Sequence, residues 1–160
     1  MIKKKKIKKN IIGWEEWFTF EELKLPAIKG KIDTGAKTSS LHAFNIDTFF
    51  RNGREYVEFQ IHPLQKNQKI IRTCIAPIVD HRYVSDSGGK KEKRYVIESE
   101  ITIGDFKTKI EITLANRDSM TFRMLLGREA IKKMNMMVDV SKSFAQGKVS
   151  KPRSLYKSKK

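Results

Sequence analysis

The sequence has little cysteine and no long apolar run. Its one cysteine, Cys74, excludes an internal disulfide framework and a zinc site built from several cysteines. We expect Cys74 to fill a buried strand position rather than to act as a reactive thiol. No apolar stretch approaches the roughly 18 residues that a membrane-spanning helix needs, so we expect no membrane span. The lysine-rich start lacks the apolar segment of a secretory signal, which favours a cytoplasmic location.

Acidic residues are missing from both ends of the chain. The first nine residues hold six lysines and the segment from Lys142 onward holds seven basic residues, together 13 of the 34 Lys and Arg side chains. The remaining 21 bases face all 18 acids, a balance of +3 within a net charge of +16. We therefore predict one domain over residues 11–141, between basic disordered tails at residues 1–10 and 142–160. Weak contact of these tails with RNA or an anionic lipid surface is the alternative interpretation.

Alternating apolar and polar residues dominate the middle of the chain and predict β-strands. The clearest ones are Tyr56–His62, Val96–Ile103 and, after a Gly104-Asp105 turn, Phe106–Leu114. Further extended stretches are predicted at Ile28–Ile32, Ile70–Val79 and Met120–Leu126, with one short helix at Arg128–Met134. The pattern predicts an all-β fold, a small closed barrel with one short C-terminal helix, because closure removes exposed strand edges.

The sharpest local motif is Asp33-Thr34-Gly35, which ends an apolar strand. Gly35 allows a tight turn that exposes the carboxylate instead of burying it in the sheet. The Thr34 hydroxyl can hydrogen-bond across the turn and hold the carboxylate in place. Taken alone, the tripeptide fits an ordinary turn at a strand end better than a catalytic site.

A second motif, Met124-Leu125-Leu126-Gly127-Arg128, lies far downstream and changes this weighing. Together with Ile32-Asp33-Thr34-Gly35-Ala36 it resembles the two signature elements of retropepsin-like aspartic proteases. The likeness is greater to a bacterial branch known as ATP-dependent zinc proteases, and it spans about residues 11–140. The other similar segments are Ile12-Gly13-Trp14, Lys37–Ala43, Ser85–Arg94, Asn116-Arg117 and Met120.

The resemblance implies a retropepsin-like closed barrel with Asp33 as the catalytic residue. Thr34 and Gly35 would shape its loop, and Ala36 would contact the substrate. The supporting residues would be those of the strand beneath this loop and the start of the helix: Leu126, Gly127 and Arg128.

A hairpin near residues 85–89 would form a flap over the bound peptide, with Ser85 and Gly88 contacting the substrate. A plain exposed hairpin without a substrate role fits this segment about as well.

Aspartic proteolysis needs two carboxylates that share one proton across a water. Asp86, in Asp-Ser-Gly, lacks the apolar flanks that deliver Asp33, so we reject it as the second one. The second carboxylate must then come from Asp33 of another copy, which predicts a symmetric homodimer. Retroviral members usually carry an acidic residue where this chain has Lys37. Arg128 must therefore have a partner other than residue 37, and we do not expect this chain to dimerise in every respect as the retroviral members do.

The sequence contains no motif for binding the zinc or the ATP that the name of the branch mentions. His42, His62 and His81 form no metal-binding motif, and no Gly-rich phosphate loop is present. We expect no metal and no cofactor. His42 is close enough in sequence to line the cleft, although an ordinary hydrogen-bonded strand histidine is favoured. The ATP in the name fits a functional link to ATP-grasp glutamate ligases, which extend proteins or peptides.

The sequence thus predicts a cytoplasmic, homodimeric aspartic-type endopeptidase acting on a peptide or protein substrate. Three alternatives remain open: a peptide-binding module on the same fold without turnover, a metal-dependent peptidase, and an RNA-associated protein acting through its tails. Changing Asp33 to Asn separates the first, since a binding module keeps its affinity. Chelation separates the second, and the salt dependence of RNA binding separates the third.

Overall fold

The computed structural model describes residues 10–85, 88–116 and 121–157. Within these ranges a single short helix, α1, spans Arg128–Lys133, and a 3-10 helix spans Pro152–Tyr156. The strands, in chain order, are β1 Asn10–Ile12, β2 Glu15–Phe20, β3 Leu25–Asp33, β4 Ser39–His42, β5 Phe44–Arg51, β6 Arg54–Ile61, β7 Arg72–Ser85, β8 Lys91–Ile103, β9 Phe106–Ala115, β10 Met124–Gly127 and β11 Met136–Val138. No helix in the described ranges is long and apolar enough to cross a membrane.

Six strands close into a barrel. They pair in the order β2-β3-β10-β4-β9-β8, and β8 returns to β2 at the pair Thr19 and Thr102. Strands β7, β6 and β5 continue the sheet outward from β8, while β1 and β11 form a separate parallel pair. The predicted all-β closed barrel with one short helix is confirmed.

The core is filled by the apolar faces of the alternating strands. Val57, Phe59 and Ile61 of β6 are fully buried, as the period-two pattern predicts. Cys74 of β7 is also buried, and its thiol lies 3.5 Å from the Leu23 carbonyl oxygen. Burial raises the pKa of this thiol to about 12, so it stays protonated and unreactive near neutral pH. The prediction of a structural cysteine is confirmed.

The basic C-terminal segment packs on the barrel, so the predicted disorder over residues 142–160 is wrong for residues 142–157. The Glu16 carboxylate, which is buried, accepts hydrogen bonds from the backbone N–H groups of Gly13 (2.7 Å), Ala145 (2.8 Å) and Gln146 (3.0 Å). Such a carboxylate needs these donors to offset its desolvation. Residues 145 and 146 are thereby fixed against β2.

A second anchor lies further along the same segment. The Tyr156 side chain is buried, and its hydroxyl bonds both the N–H and the carbonyl oxygen of Ala27 on β3. The Arg72 guanidinium lies 5.3 Å from the centre of the Tyr156 ring and donates to the Tyr156 carbonyl oxygen. At the other end of the chain, Asn10 begins β1, and residues 1–9 lie outside the described ranges, as do 158–160.

Candidate active site

Asp33 is delivered by the last position of β3, beside the end of β10. Strand β10 runs parallel to β3 with Gly127 opposite Asp33, and antiparallel to β4 with Leu125 opposite Ser40. Strand β10 therefore lies between the strand that enters the Asp33 loop and the strand that leaves it. Leu126, which precedes Gly127 on β10, is fully buried.

Gly127 is the point where two backbones meet. A Cβ atom at this position would lie 2.6 Å from the Thr38 carbonyl carbon and 2.9 Å from the Ser39 nitrogen. The Gly127 N–H donates to the Ser39 hydroxyl at 3.0 Å. Only glycine permits this approach, because backbone atoms cannot swing away as a side chain can.

The Asp33 loop is a tight turn held by backbone groups. The Gly35 N–H donates to the Asp33 carboxylate at 3.1 Å, and the Ala36 N–H donates to the Asp33 carbonyl oxygen at 3.2 Å. The Asp33 side chain is half-buried and Thr34 is exposed. The group that orients the carboxylate is thus the Gly35 amide, where the sequence analysis assigned the Thr34 hydroxyl.

Arg128 braces the same loop from the start of α1. Its guanidinium Nη1 donates to the Gly35 carbonyl oxygen at 3.1 Å, and its backbone N–H donates to the Ala36 carbonyl oxygen at 2.8 Å. The expectation that Arg128 pairs with something other than residue 37 is confirmed: its partners are loop carbonyls.

Asp33 opens onto a cleft with a volume of about 1320 Å³. Gly35 and Ala36 line it from the loop, and Ser85 lines it from the end of β7, so the structure brings these predicted residues together. Gly88 lies at the tip of the β7–β8 hairpin and is exposed, outside the lining of this cleft. Asp86 and Ser87 lie outside the described residues.

The predicted hairpin is present. Strands β7 and β8 pair antiparallel out to Ser85 and Lys91, and Gly89 adopts a positive φ of 83° in the connection. Such a backbone conformation favours glycine in a tight turn. The end of β7 next to this turn forms one wall of the cleft, through Arg82, Tyr83, Val84 and Ser85.

Two arginines on this wall were missed by the sequence analysis. Arg82 and Arg94 lie directly opposite each other on β7 and β8, and both line the cleft. Arg82 bonds Asp80 and Glu111, each at 2.6 Å. The hydrogen bond with Arg82 lowers the pKa of Asp80 below its ordinary value. The strand pattern marks both arginines as ordinary polar positions, so no sequence signal singles them out.

The rest of the lining is mixed in charge. Lysines 37, 132 and 133 add positive charge to the cleft, and Glu98 and Glu129 add negative charge. Asp33 is the only aspartate among the described residues that line it. Among the residues that the structure describes, one chain therefore presents a single aspartic carboxylate to the cleft.

The histidines lie away from Asp33. His42 is buried at the end of β4 and lines a second cavity of about 490 Å³ together with His62 and Arg123. His81 lies 2.8 Å from the Glu55 carboxylate. In the described ranges, no three His, Cys, Asp or Glu side chains are grouped closely enough to hold a metal ion.

Curated relatives share most of this sequence within longer proteins. A probable alpha-L-glutamate ligase of Shewanella pealeana is 51% identical over 139 residues, and one of Desulfotalea psychrophila is 48% identical over 145 residues. These alignments cover 87% and 91% of this chain but only 30% and 31% of those proteins. The chain therefore spans about a third of the length of these relatives.

A solved structure and a sequence family extend the comparison. A Legionella pneumophila protein of unknown function has the same fold with a TM-score of 0.73 and 29% sequence identity, covering 86% of this chain and 98% of that one. The family described as retropepsin-like aspartic endopeptidase RimB matches residues 11–149. Its description names neither zinc nor ATP. With its Asp33 loop braced by Gly127 and Arg128, this chain belongs to the RimB-like family of retropepsin-like aspartic endopeptidases.

Proposed function

We propose that this protein is an aspartic-type endopeptidase whose active form is a homodimer. The observation that carries the proposal is the half-buried Asp33 carboxylate, which the Gly35 amide orients at the edge of a large cleft. A two-fold axis near Asp33 would bring two such carboxylates together, each chain giving half of the site. Leu126 and Gly127 support the loop from below.

The paired carboxylates would act on one water molecule. Like-charge repulsion keeps one proton on the pair, so one Asp33 is ionised and the other is neutral. The ionised carboxylate takes a proton from the water, whose oxygen bonds to the carbonyl carbon of the scissile peptide bond, while the neutral carboxyl group donates its proton to the carbonyl oxygen. The proton taken from the water then passes to the peptide nitrogen, the C–N bond breaks, and the second carboxylate regains a proton from a hydroxyl of the intermediate as the new carboxylic acid forms. Arg128 and Gly35 hold the carboxylate in position for this transfer.

For the substrate, we propose a peptide or protein that carries glutamate residues. The curated relatives join this domain to a much longer chain named as a glutamate ligase, so the two activities would act on related chains. The charge around the cleft supports this choice. Besides Arg94 of its wall, the lining holds Lys37, Lys132 and Lys133 next to Glu98 and Glu129, and Lys90, Lys91 and Lys93 follow in the hairpin.

Cleavage of matched peptides tests the proposal. The protein is incubated with a peptide that ends in a run of α-linked glutamates and with its glutamine counterpart, and products are identified by mass spectrometry. We expect cleavage of the glutamate peptide by the parent and none by Asp33→Asn, which still binds it. Binding without cleavage by the parent would indicate a peptide-binding module. Cleavage that survives Asp33→Asn but is lost with a chelator would indicate a metal-dependent peptidase.

A further inference from the structure

Arg94 is a buried cation inside the Asp33 cleft. Its side chain is 6% exposed, yet it belongs to the lining of the same cavity as Asp33. Arginine is rarely buried to this degree without a close anionic partner, because removing its charge from water is costly.

The contacts of Arg94 with its own chain are long. Its Nε lies 3.3 Å from the Glu92 carboxylate, which is 45% exposed, and its Nη1 lies 3.4 Å from the Thr113 hydroxyl. Charge-assisted hydrogen bonds of this type are usually about 2.7–2.9 Å long. Arg82 across the strand pair differs, since its two carboxylate contacts are both 2.6 Å. Two close carboxylates therefore neutralise the charge of Arg82, whereas the one carboxylate near Arg94 neutralises its charge only weakly.

The position of Arg94 is fixed relative to the Asp33 loop. The Thr113 hydroxyl that accepts from Arg94 donates to the Ser39 carbonyl oxygen at 3.3 Å. The Ser39 hydroxyl in turn accepts the N–H of Gly127, which lies opposite Asp33. A short chain of hydrogen bonds therefore joins the guanidinium to the base of the catalytic loop.

We infer that Arg94 is the specificity-determining residue of the cleft and binds a side-chain carboxylate of the substrate. A guanidinium has five N–H donors arranged as a fork that matches a carboxylate, and the two long contacts engage two of them. A glutamate side chain entering the cleft would supply the close anion that Glu92 does not. This inference rests on the proposed function for its substrate class, and it deepens that proposal by naming the residue that recognises it.

Binding to an uncleaving protein tests the role of Arg94 separately from catalysis. The full chain carrying Asp33→Asn is titrated with a fluorescent penta-glutamate peptide and with its penta-glutamine counterpart, and the ratio of the two Kd values is measured. Adding Arg94→Gln should reduce the preference for glutamate by about tenfold to a hundredfold, the range for a hydrogen bond to a charged group. Glutamine-peptide affinity should stay the same, which shows that the cleft is intact.

Two further variants complete the design. Arg82→Gln is the matched control, and we expect it to leave the glutamate preference within about twofold, because Asp80 and Glu111 already neutralise that arginine. Arg94→Lys keeps the charge but loses the fork, so it should give an intermediate preference and serves if Arg94→Gln fails to fold.

The outcomes separate the two proposals. An unchanged glutamate preference in Arg94→Gln or Arg94→Lys would overturn the inference while leaving the peptidase proposal standing. A protein that never prefers glutamate would overturn the inference and the proposed substrate class together. A glutamate preference that depends on Arg94, in a parent that cleaves no peptide, would support the inference and reject the peptidase.

Discussion

At the scale of single residues, Gly127 is a position where we expect the fold not to tolerate a side chain. We expect Gly127→Ala to lower the free energy of unfolding by about 1–3 kcal/mol, the usual cost of overpacking, and Gly127→Val to cost more. The added Cβ would lie 2.6 Å from the Thr38 carbonyl carbon, so the backbone of β10 or that of Thr38 and Ser39 would have to shift. Chemical denaturation of parent and variants measures the difference.

Gly35→Ala is the control for this prediction. A Cβ at position 35 would meet only the Asp33 carboxylate, at 3.3 Å, and no backbone atom. We expect its stability to remain close to that of the parent. If Gly127→Ala were as stable as Gly35→Ala, the close approach of β10 to the Asp33 loop would be wrong.

The buried thiol of Cys74 and the buried phenol of Tyr156 predict a loss of stability at alkaline pH. Burial raises the pKa of Cys74 from 9.0 to about 12 and that of Tyr156 from 10.0 to about 12. The unfolded chain therefore releases these protons first, so their contribution is complete below pH 9 and is lost as the pH rises towards 12. Each group adds up to about 1.4 kcal/mol per pH unit to the slope.

Unfolding measured by urea at several pH values between 8 and 12 checks this expectation. Cys74→Ala and Tyr156→Phe should each give a shallower fall of stability with pH than the parent. Tyr83→Phe removes a phenol that is 73% exposed and should leave the slope unchanged. Equal slopes in all four proteins would contradict the burial of both groups.

The residues that sequence could identify are those whose role is local. Asp33 and Gly35 stand in one turn, and Gly127 was found because its motif matches a family. Glu16 shows the opposite case. Its carboxylate oxygens accept hydrogen bonds from the backbone N–H groups of Ala145 and Gln146, which are 129 and 130 residues further along the chain. A glutamate inside an alternating strand looks solvent-facing until its distant partners are known. Arg94 was missed for the same reason.

At the scale of elements, the buried Tyr156 side chain anchors the C-terminal 3-10 helix to β3. We expect Tyr156→Phe to lower the free energy of unfolding by about 1–3 kcal/mol at neutral pH, because the N–H and carbonyl oxygen of Ala27 lose their buried partner. Leu155→Ala, at a neighbouring side chain that is 48% exposed, should change stability by less than about 0.5 kcal/mol. Thermal unfolding of both variants checks the contrast. Equal values would show that residues 152–156 do not stabilise the barrel.

Strand prediction succeeded where one face is buried and the other exposed. Strands β6, β8 and β9 have this pattern. The bounds predicted for β6 and β9 are within two residues of the observed ones, whereas β8 begins at Lys91, five residues before the predicted Val96. Strand β4 was missed because all four of its residues, Ser39 to His42, are buried and three are polar. Strand β5 was missed because most of its side chains are exposed at the outer end of the sheet. In both cases tertiary position overrides the local pattern.

At the scale of the whole molecule, the proposed shared active site would make activity depend on assembly. We expect activity per chain to fall when dilution passes the Kd of the dimer, since a monomer holds one Asp33. Mixing parent with an equal amount of Asp33→Asn should leave about a quarter of randomly paired dimers with two carboxylates, halving the activity per parent chain. Peptide-cleavage assays over a dilution series measure both effects. The control replaces the mutant chain with more parent. Activity that follows only the amount of parent chain would show that each chain works alone.

The barrel is closed by the pairing of β2 with β8, which rests on one residue pair, Thr19 and Thr102, whereas β8 and β9 pair over eight. This joint is a seam, the place where the barrel should open first. Native-state hydrogen exchange should therefore reach the amides of β2 that face β8 long before those between β8 and β9. Once open, β2 would present an unpaired edge to other chains. Because Glu16 ties that strand to residues 145 and 146, losing the C-terminal segment would open the seam and make the protein prone to aggregate.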